Sequence, residues 1–81
     1  MNAGLNFNLT RHFCIRLTER HLNADDVKAV VRSSFGQKFL KRGIHGGKLS
    51  RFSKTEGGRT LVVIAEIKGG ECWIATAYYE N

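Results

Sequence analysis

The run RTLVVIAEI, residues 59–67, constrains this chain more than any other segment. It is β-branched and apolar on both faces at its centre, the pattern of a strand covered on both sides. Gly57-Gly58 precedes it and Gly69-Gly70 follows it, and both pairs are two-residue hairpin signals. A strand so bracketed needs antiparallel neighbours. KLSRFSKT (48–55) lies before the first turn and ECWIATAYY (71–79) after the second. Gly46-Gly47 marks one more turn, preceded by KFLKRGI (38–44). The second half of the chain therefore reads as a four-stranded antiparallel meander.

The first half carries a different period. Leu9, Phe13 and Leu17 recur every fourth residue and define the buried stripe of a helix that Asn8 or Thr10 can cap and that runs to about Leu22. Asn23 then caps a second helix, with Asp25 and Asp26 in its first turn, where carboxylates suit the positive end of the dipole. Val27, Val30 and Val31 form its inner face, and it ends near Ser33. Residues 1–8 read as a frayed start, with room for a short edge strand around Leu5 to Asn8. Helices followed by strands give an α+β fold: two N-terminal helices packed on a four-stranded antiparallel sheet. At 81 residues the chain, 1–81, is a single domain with a thin core. On the last strand, Trp73 shares a face with Ala75, Ala77 and Tyr79, and small residues between aromatics suit helix packing, so Trp73 is assigned to the core. Cys72, Ile74, Thr76 and Tyr78 then face the other way.

Cys14 and Cys72 form no C-x-x-C pair, and three histidines are scattered, so no metal site or cofactor is expected. Two buried thiols are the simplest reading, with a helix-to-strand disulfide as the alternative. No apolar run approaches the ~20 residues that span a bilayer, and no basic segment leads into an apolar one as in a signal peptide. The expectation is a cytoplasmic protein with no membrane contact.

The net charge is +6, and it is localised. Between residues 32 and 59 eight cations face Glu56 alone. A concentrated basic surface favours a polyanion, most commonly nucleic acid, over a merely solvated face. Lys48, Arg51, Lys54 and Arg59 lie on adjacent strands and are expected to gather into one RNA-binding patch that grips phosphates without reading sequence.

LTRHFCIRLTER, residues 9–20, sets His12, Arg16 and Arg20 four residues apart, one polar stripe on a helix. Histidine moves protons near neutral pH. In RNA cleavage without metal, a base takes the 2′-OH proton, an acid protonates the leaving 5′-oxygen, and cations stabilise the phosphorane. His12 and the two arginines suit those roles. Arg16 and Arg20 equally suit surface salt bridges with Glu19 or Asp25. Glu19 and Glu66 are the plausible carboxylate bases. Tyr78 can stack a base or donate to phosphate. His21 complements the helix end, and His45, in a glycine turn, is read as simply exposed.

The run T-x-H-x-x-x-R-L-x-x-R, here Thr10 to Arg20, resembles the opening helix of a family of small bacterial proteins of undefined function. NADDVKAVV matches that family's second helix, Gly58 to Val63 its G-R-x-L-V-V strand, and Ile74 to Tyr78 its I-x-T-x-Y strand. The family is similar to the barnase, colicin and RelE-like ribonuclease toxins. That resemblance implies an endoribonuclease toxin neutralised by an acidic antitoxin or immunity protein, with His12, Arg16, Arg20, Thr76 and Tyr78 as catalytic positions. Arg59 also matches. The family carries glycine after the second arginine, where this chain has His21. A non-catalytic RNA- or DNA-binding module on the same fold is the alternative, and a protein-interaction module a third.

Overall fold

The structure, a computed structural model, describes residues 4–33 and 36–80. The elements are β1 (Asn6–Asn8), α1 (Arg11–Glu19), α2 (Ala24–Ser33), β2 (Lys38–Arg42), β3 (Lys48–Glu56), β4 (Arg59–Lys68) and β5 (Glu71–Glu80). They form one sheet in the order β1-β5-β4-β3-β2. The fold is α+β, but the four-stranded antiparallel sheet is corrected to a five-stranded mixed one. β2 to β5 make the antiparallel meander, and β1 pairs parallel with β5, Phe7 opposite Cys72.

The fifth strand is three residues long with one apolar side chain, so it carries no period of its own. Non-local bonds define it. The Asn6 amide donates to the Gly70 carbonyl at 2.8 Å. The Asn6 and Asn8 side-chain amides both donate to the Glu71 carboxylate at 3.1 Å. The Arg32 guanidinium lies 5.1 Å and the Lys28 ammonium 5.8 Å from the centre of the Phe7 ring, an attractive arrangement for a cation over an aromatic face. Of the frayed start, residues 1–3 fall outside the described residues.

Local chemistry sets the helices as expected. The Thr10 hydroxyl accepts from the Phe13 amide at 3.1 Å, and the Asn23 side chain accepts from the Asp25 amide at 2.7 Å, satisfying N–H groups that the first turn leaves free. α1 closes one turn earlier than its apolar stripe suggests. The Leu22 amide donates to the Leu17 carbonyl and the His21 amide to the Thr18 carbonyl, the paired bonds of a Schellman closure. That closure needs a left-handed residue, and His21 supplies it with φ 54°. His21 therefore stands where glycine is usual, as the helix cap.

Both helices pack on one sheet face. Phe13, Leu17, Val27, Val30 and Val31 meet Phe52, Leu61, Val63, Ala65, Cys72, Ile74 and Ala77 there. Phe52 and Val63 pair across β3 and β4 and are fully buried. A core phenylalanine contributes ~3–5 kcal/mol relative to alanine, a large share of the ~5–15 kcal/mol that holds a domain together.

Strict alternation fails in β5. Ile64 pairs with Thr76 but Ala65 with Ile74, so Ala75 is an extra residue, a β-bulge. Cys72 and Ile74 before it, and Ala77 after it, all reach the helix side. Trp73 is thereby placed on the open face, opposite Glu66, and not in the core. The cysteines also differ from expectation. Cys14 is exposed; Cys72 is buried, and burial pushes its thiol up to about 11.

Candidate functional site

The open face of the sheet carries a loop held down by a buried carboxylate. Glu66, 3% exposed, lies in β4 beneath the Gly43–Gly47 connection between β2 and β3. Its carboxylate accepts from the backbone amides of Gly47 at 2.7 Å and His45 at 2.9 Å, and from His45 Nδ1 at 3.0 Å. Burial pushes the carboxyl up, but the hydrogen bonds from His45 and Gly47 and the His45 charge outweigh it, and the pKa falls below the usual value. As acceptor, Glu66 fixes the proton on Nδ1 of His45. A Cβ on Gly43 would overlap the Glu66 carboxylate, and one on Gly47 would overlap the Ile67 carbonyl, so neither position has space for a side chain.

The imidazole so oriented stacks on the Trp73 indole, ring centres 4.0 Å apart and planes 6° from parallel. The Lys68 ammonium donates to the His45 carbonyl at 3.1 Å. Beside this stack runs a groove of 610 Å³, lined among others by Lys41, Arg42, Ile44, Leu49, Ala75 and Thr10, the cap of α1. Ile44 stands at the rim, 96% exposed.

The residues named from sequence fall into three groups. Arg20 and Thr76 come together: Nη1 of Arg20 donates to the Thr76 hydroxyl at 3.1 Å and to the Ala77 carbonyl at 2.8 Å. β1 pairs only with Glu71–Trp73, so α1 runs along the uncovered part of the β5 edge, and Arg20 occupies a carbonyl there. His12 and Arg16 lie on the same helical stripe, between the Thr10 end at the groove and the Arg20 end at Thr76. Both are exposed, and their side chains make no hydrogen bond or ion pair among the described residues. The salt bridges to Glu19 or Asp25 are absent there as well. Tyr78 is half-buried on the open face, opposite Val62.

The hairpin cations do not gather. Lys48 pairs with Ile67 and Arg59 with Glu56, eight positions along the hairpin, about 26 Å at ~3.3 Å per residue. Lys54 and Arg59 lie on the helix side, where Lys54 meets Glu56 at 3.6 Å and the Arg59 guanidinium stacks 3.7 Å from the centre of the Tyr79 ring. Arg51 points to the open face and meets Glu80 at 3.1 Å. That bridge crosses β4 above Val62, which is fully buried there although the helices lie on the other side. Among the described residues Lys38, Lys41 and Lys48, around β2 and its loop, and Arg11 and Arg16 on α1 have no acidic, carbonyl or aromatic partner, and Arg42 donates only to the Gly46 carbonyl at 3.4 Å.

Sequence reasoning named Glu66 as a possible base, read His45 as simply exposed and put Trp73 in the core, and so missed the Glu66–His45–Trp73 arrangement. The signal was a lone carboxylate in a strand otherwise apolar on both faces. Such a group must find donors, and RGIHGG offers them as unhindered backbone amides.

No family model, curated protein or solved structure matches the chain. Among the described residues no three His, Cys, Asp or Glu side chains gather as metal ligands, and no helix is long and apolar enough to cross a membrane.

Proposed function

We propose that this chain is a metal-independent endoribonuclease of the toxin type, held in check by an acidic inhibitor protein. The observation that carries the reading is the Arg20–Thr76 contact, which joins the helix stripe to the last strand across 56 residues of sequence. One and two turns back along the same helical stripe stand Arg16 and His12, side chains of the right chemistry that make no hydrogen bond or ion pair among the described residues. In this reading the unprotonated His12 imidazole takes the 2′-OH proton. Arg16, with its forked donors free, neutralises the charge on the phosphorane. Arg20 fixes the end of the helix against β5, and Tyr78 is the candidate donor to the leaving oxygen. Glu66 is no longer a candidate base, since its acceptor capacity is taken by the loop. The acidic inhibitor would meet the unpaired cations around β2, where complementary charge speeds association.

A non-catalytic nucleic-acid-binding module is the second reading, favoured because Glu66 is committed to the loop and Glu19, exposed at the end of α1, is the remaining candidate base. One experiment separates them. The protein is incubated with total RNA in EDTA beside His12→Ala. Discrete fragments from the wild type that fall at least 100-fold in the variant, in line with loss of a general base, support catalysis. Binding without cleavage at stoichiometric excess selects the module.

A further inference from the structure

We propose that the groove between the Gly43–Gly47 loop and β5 is a nucleobase subsite, in which one unpaired base of a single strand stacks on the outer face of His45 while Lys41 and Arg42 hold the adjoining phosphate. The proposal rests on the reading that the ligand is RNA, and it names the part of RNA that this surface takes.

Three features lead to it. The His45 imidazole has one face against Trp73 and a side chain still 38% exposed. A two-ring stack with an open outer layer is a platform for a third ring, and base stacking on aromatic side chains is tolerant of sequence. The walls of the groove then decide between partners. They present Lys41 and Arg42, neither with an acidic partner among the described residues and Arg42 steadied by a 3.4 Å bond to the Gly46 carbonyl, while Glu66, the single carboxylate among the lining residues, is buried beneath the loop and engaged by it. An anion that also carries a flat ring fits this wall. An acidic protein segment fits the cations but makes no use of the stack. Finally, the platform is rigid before any ligand arrives. Three donors from the loop converge on one buried carboxylate, and two glycines leave space only for that arrangement. Preorganisation of this kind lowers the entropy lost on binding.

Thr10, the cap of α1, lines the groove, so the groove opens at the N-terminal end of the helix that carries His12. The groove, at 610 Å³, is within the ~300–1,000 Å³ usual for small-ligand sites and takes one nucleotide. A strand crossing the stripe would set one base into it.

The test uses a fluorescently labelled 2′-O-methyl hexanucleotide, which cannot be cleaved through its 2′-oxygen, and a series with a single abasic residue at each position. Anisotropy reads binding, and Trp73, the single tryptophan of the chain, reads the groove. One abasic position should weaken binding by roughly 5- to 150-fold, the range set by ~1–3 kcal/mol per stacked base. It should also abolish the change in Trp73 emission. His45→Ala should lower affinity for the full oligonucleotide by the same factor and remove the difference between full and abasic strands. Lys41→Gln with Arg42→Gln should weaken both strands alike and flatten the slope of log affinity against log salt by about 1.4. If His45→Ala does not fold, the abasic series on the wild type decides alone. Binding that ignores every abasic position overturns the subsite and leaves the RNA reading standing. No binding by the wild type removes both. A protein partner that alters Trp73 emission where RNA does not reassigns the groove as a protein interface.

Discussion

The Gly43–Gly47 loop and helix α1 border the same groove, and they are built on opposite plans. In the loop, polar groups are consumed: two backbone amides and an imidazole converge on Glu66, and Lys68 takes the His45 carbonyl. In α1, caps at Thr10 and His21 and the buried pair Phe13 and Leu17 hold the backbone. His12 and Arg16 are left uncommitted. One region has polar side chains that hold the fold, and the other has polar side chains that the fold holds out. Sequence lists both kinds as His, Arg and Glu on a surface, and only the partners tell them apart.

Removing the anchor of the loop is expected to have the largest effect. Glu66→Gln keeps the shape but turns one acceptor oxygen into a donor that faces other donors. The melting temperature should fall by about 10 °C, the scale of losing hydrogen bonds to a charged group in a domain of this size. The pH dependence checks the cause. A carboxyl whose pKa is lowered by folding contributes stability above its ordinary value of 4.5, and the contribution is lost as pH falls through the lower folded value. Melting curves of wild type and Glu66→Gln should therefore converge below pH 4.5. Parallel curves down to acid denaturation would mean that the anchor is steric and not electrostatic.

The arginines of α1 come next and test the comparison within one helix. Arg20→Ala removes bonds to Thr76 and Ala77 and should lower stability by ~1–2 kcal/mol as well as activity. Arg16→Ala should reduce cleavage with stability changed by less than ~1 kcal/mol, since it has no partner to lose. Equal melting losses in the two variants would erase the division between holding and held residues. The smallest effect is expected at the helix end. His21→Gly relieves a left-handed conformation that costs an L-residue ~1–2 kcal/mol, offset by the greater freedom of glycine in the unfolded chain. A rise of a few degrees in melting temperature with unchanged cleavage would mark His21 as a cap. Loss of cleavage would make it part of the site.

Much of the fold was legible because local signals dictate it. Asn23 before Asp25 and Asp26, the spacing of Phe13 and Leu17, and the Gly-Gly turns around RTLVVIAEI each act within a few residues. What was not legible depends on distance along the chain. The short edge strand expected around Leu5 to Asn8 is present as β1, but its parallel pairing with β5 was not legible, because that pairing rests on Gly70, Glu71 and the cations of α2. The hairpin cations were counted as one patch because they are close in sequence, but side chains alternate between faces and Lys48 and Arg59 lie at opposite ends. Of the candidate site, the helix stripe was legible from its period. The Glu66 anchor was not, because its donors come from a loop with no period at all.

The extra residue in β5 acts like a frameshift in a message read two letters at a time. Without it, Trp73 and Tyr78, an odd number of residues apart, would lie on opposite sides of the sheet. With Ala75 inserted, Trp73, Thr76 and Tyr78 all open toward the same side, and Cys72, Ile74 and Ala77 still close over the core. Ala75 itself is small and exposed, so the fold leaves room for a larger side chain there, at the cost of the groove it lines. Its deletion is another matter, because the strand would then have to turn either Cys72 and Ile74 or Ala77 and Tyr79 out of the core. At this position the length of the chain is constrained far more tightly than the identity of the residue.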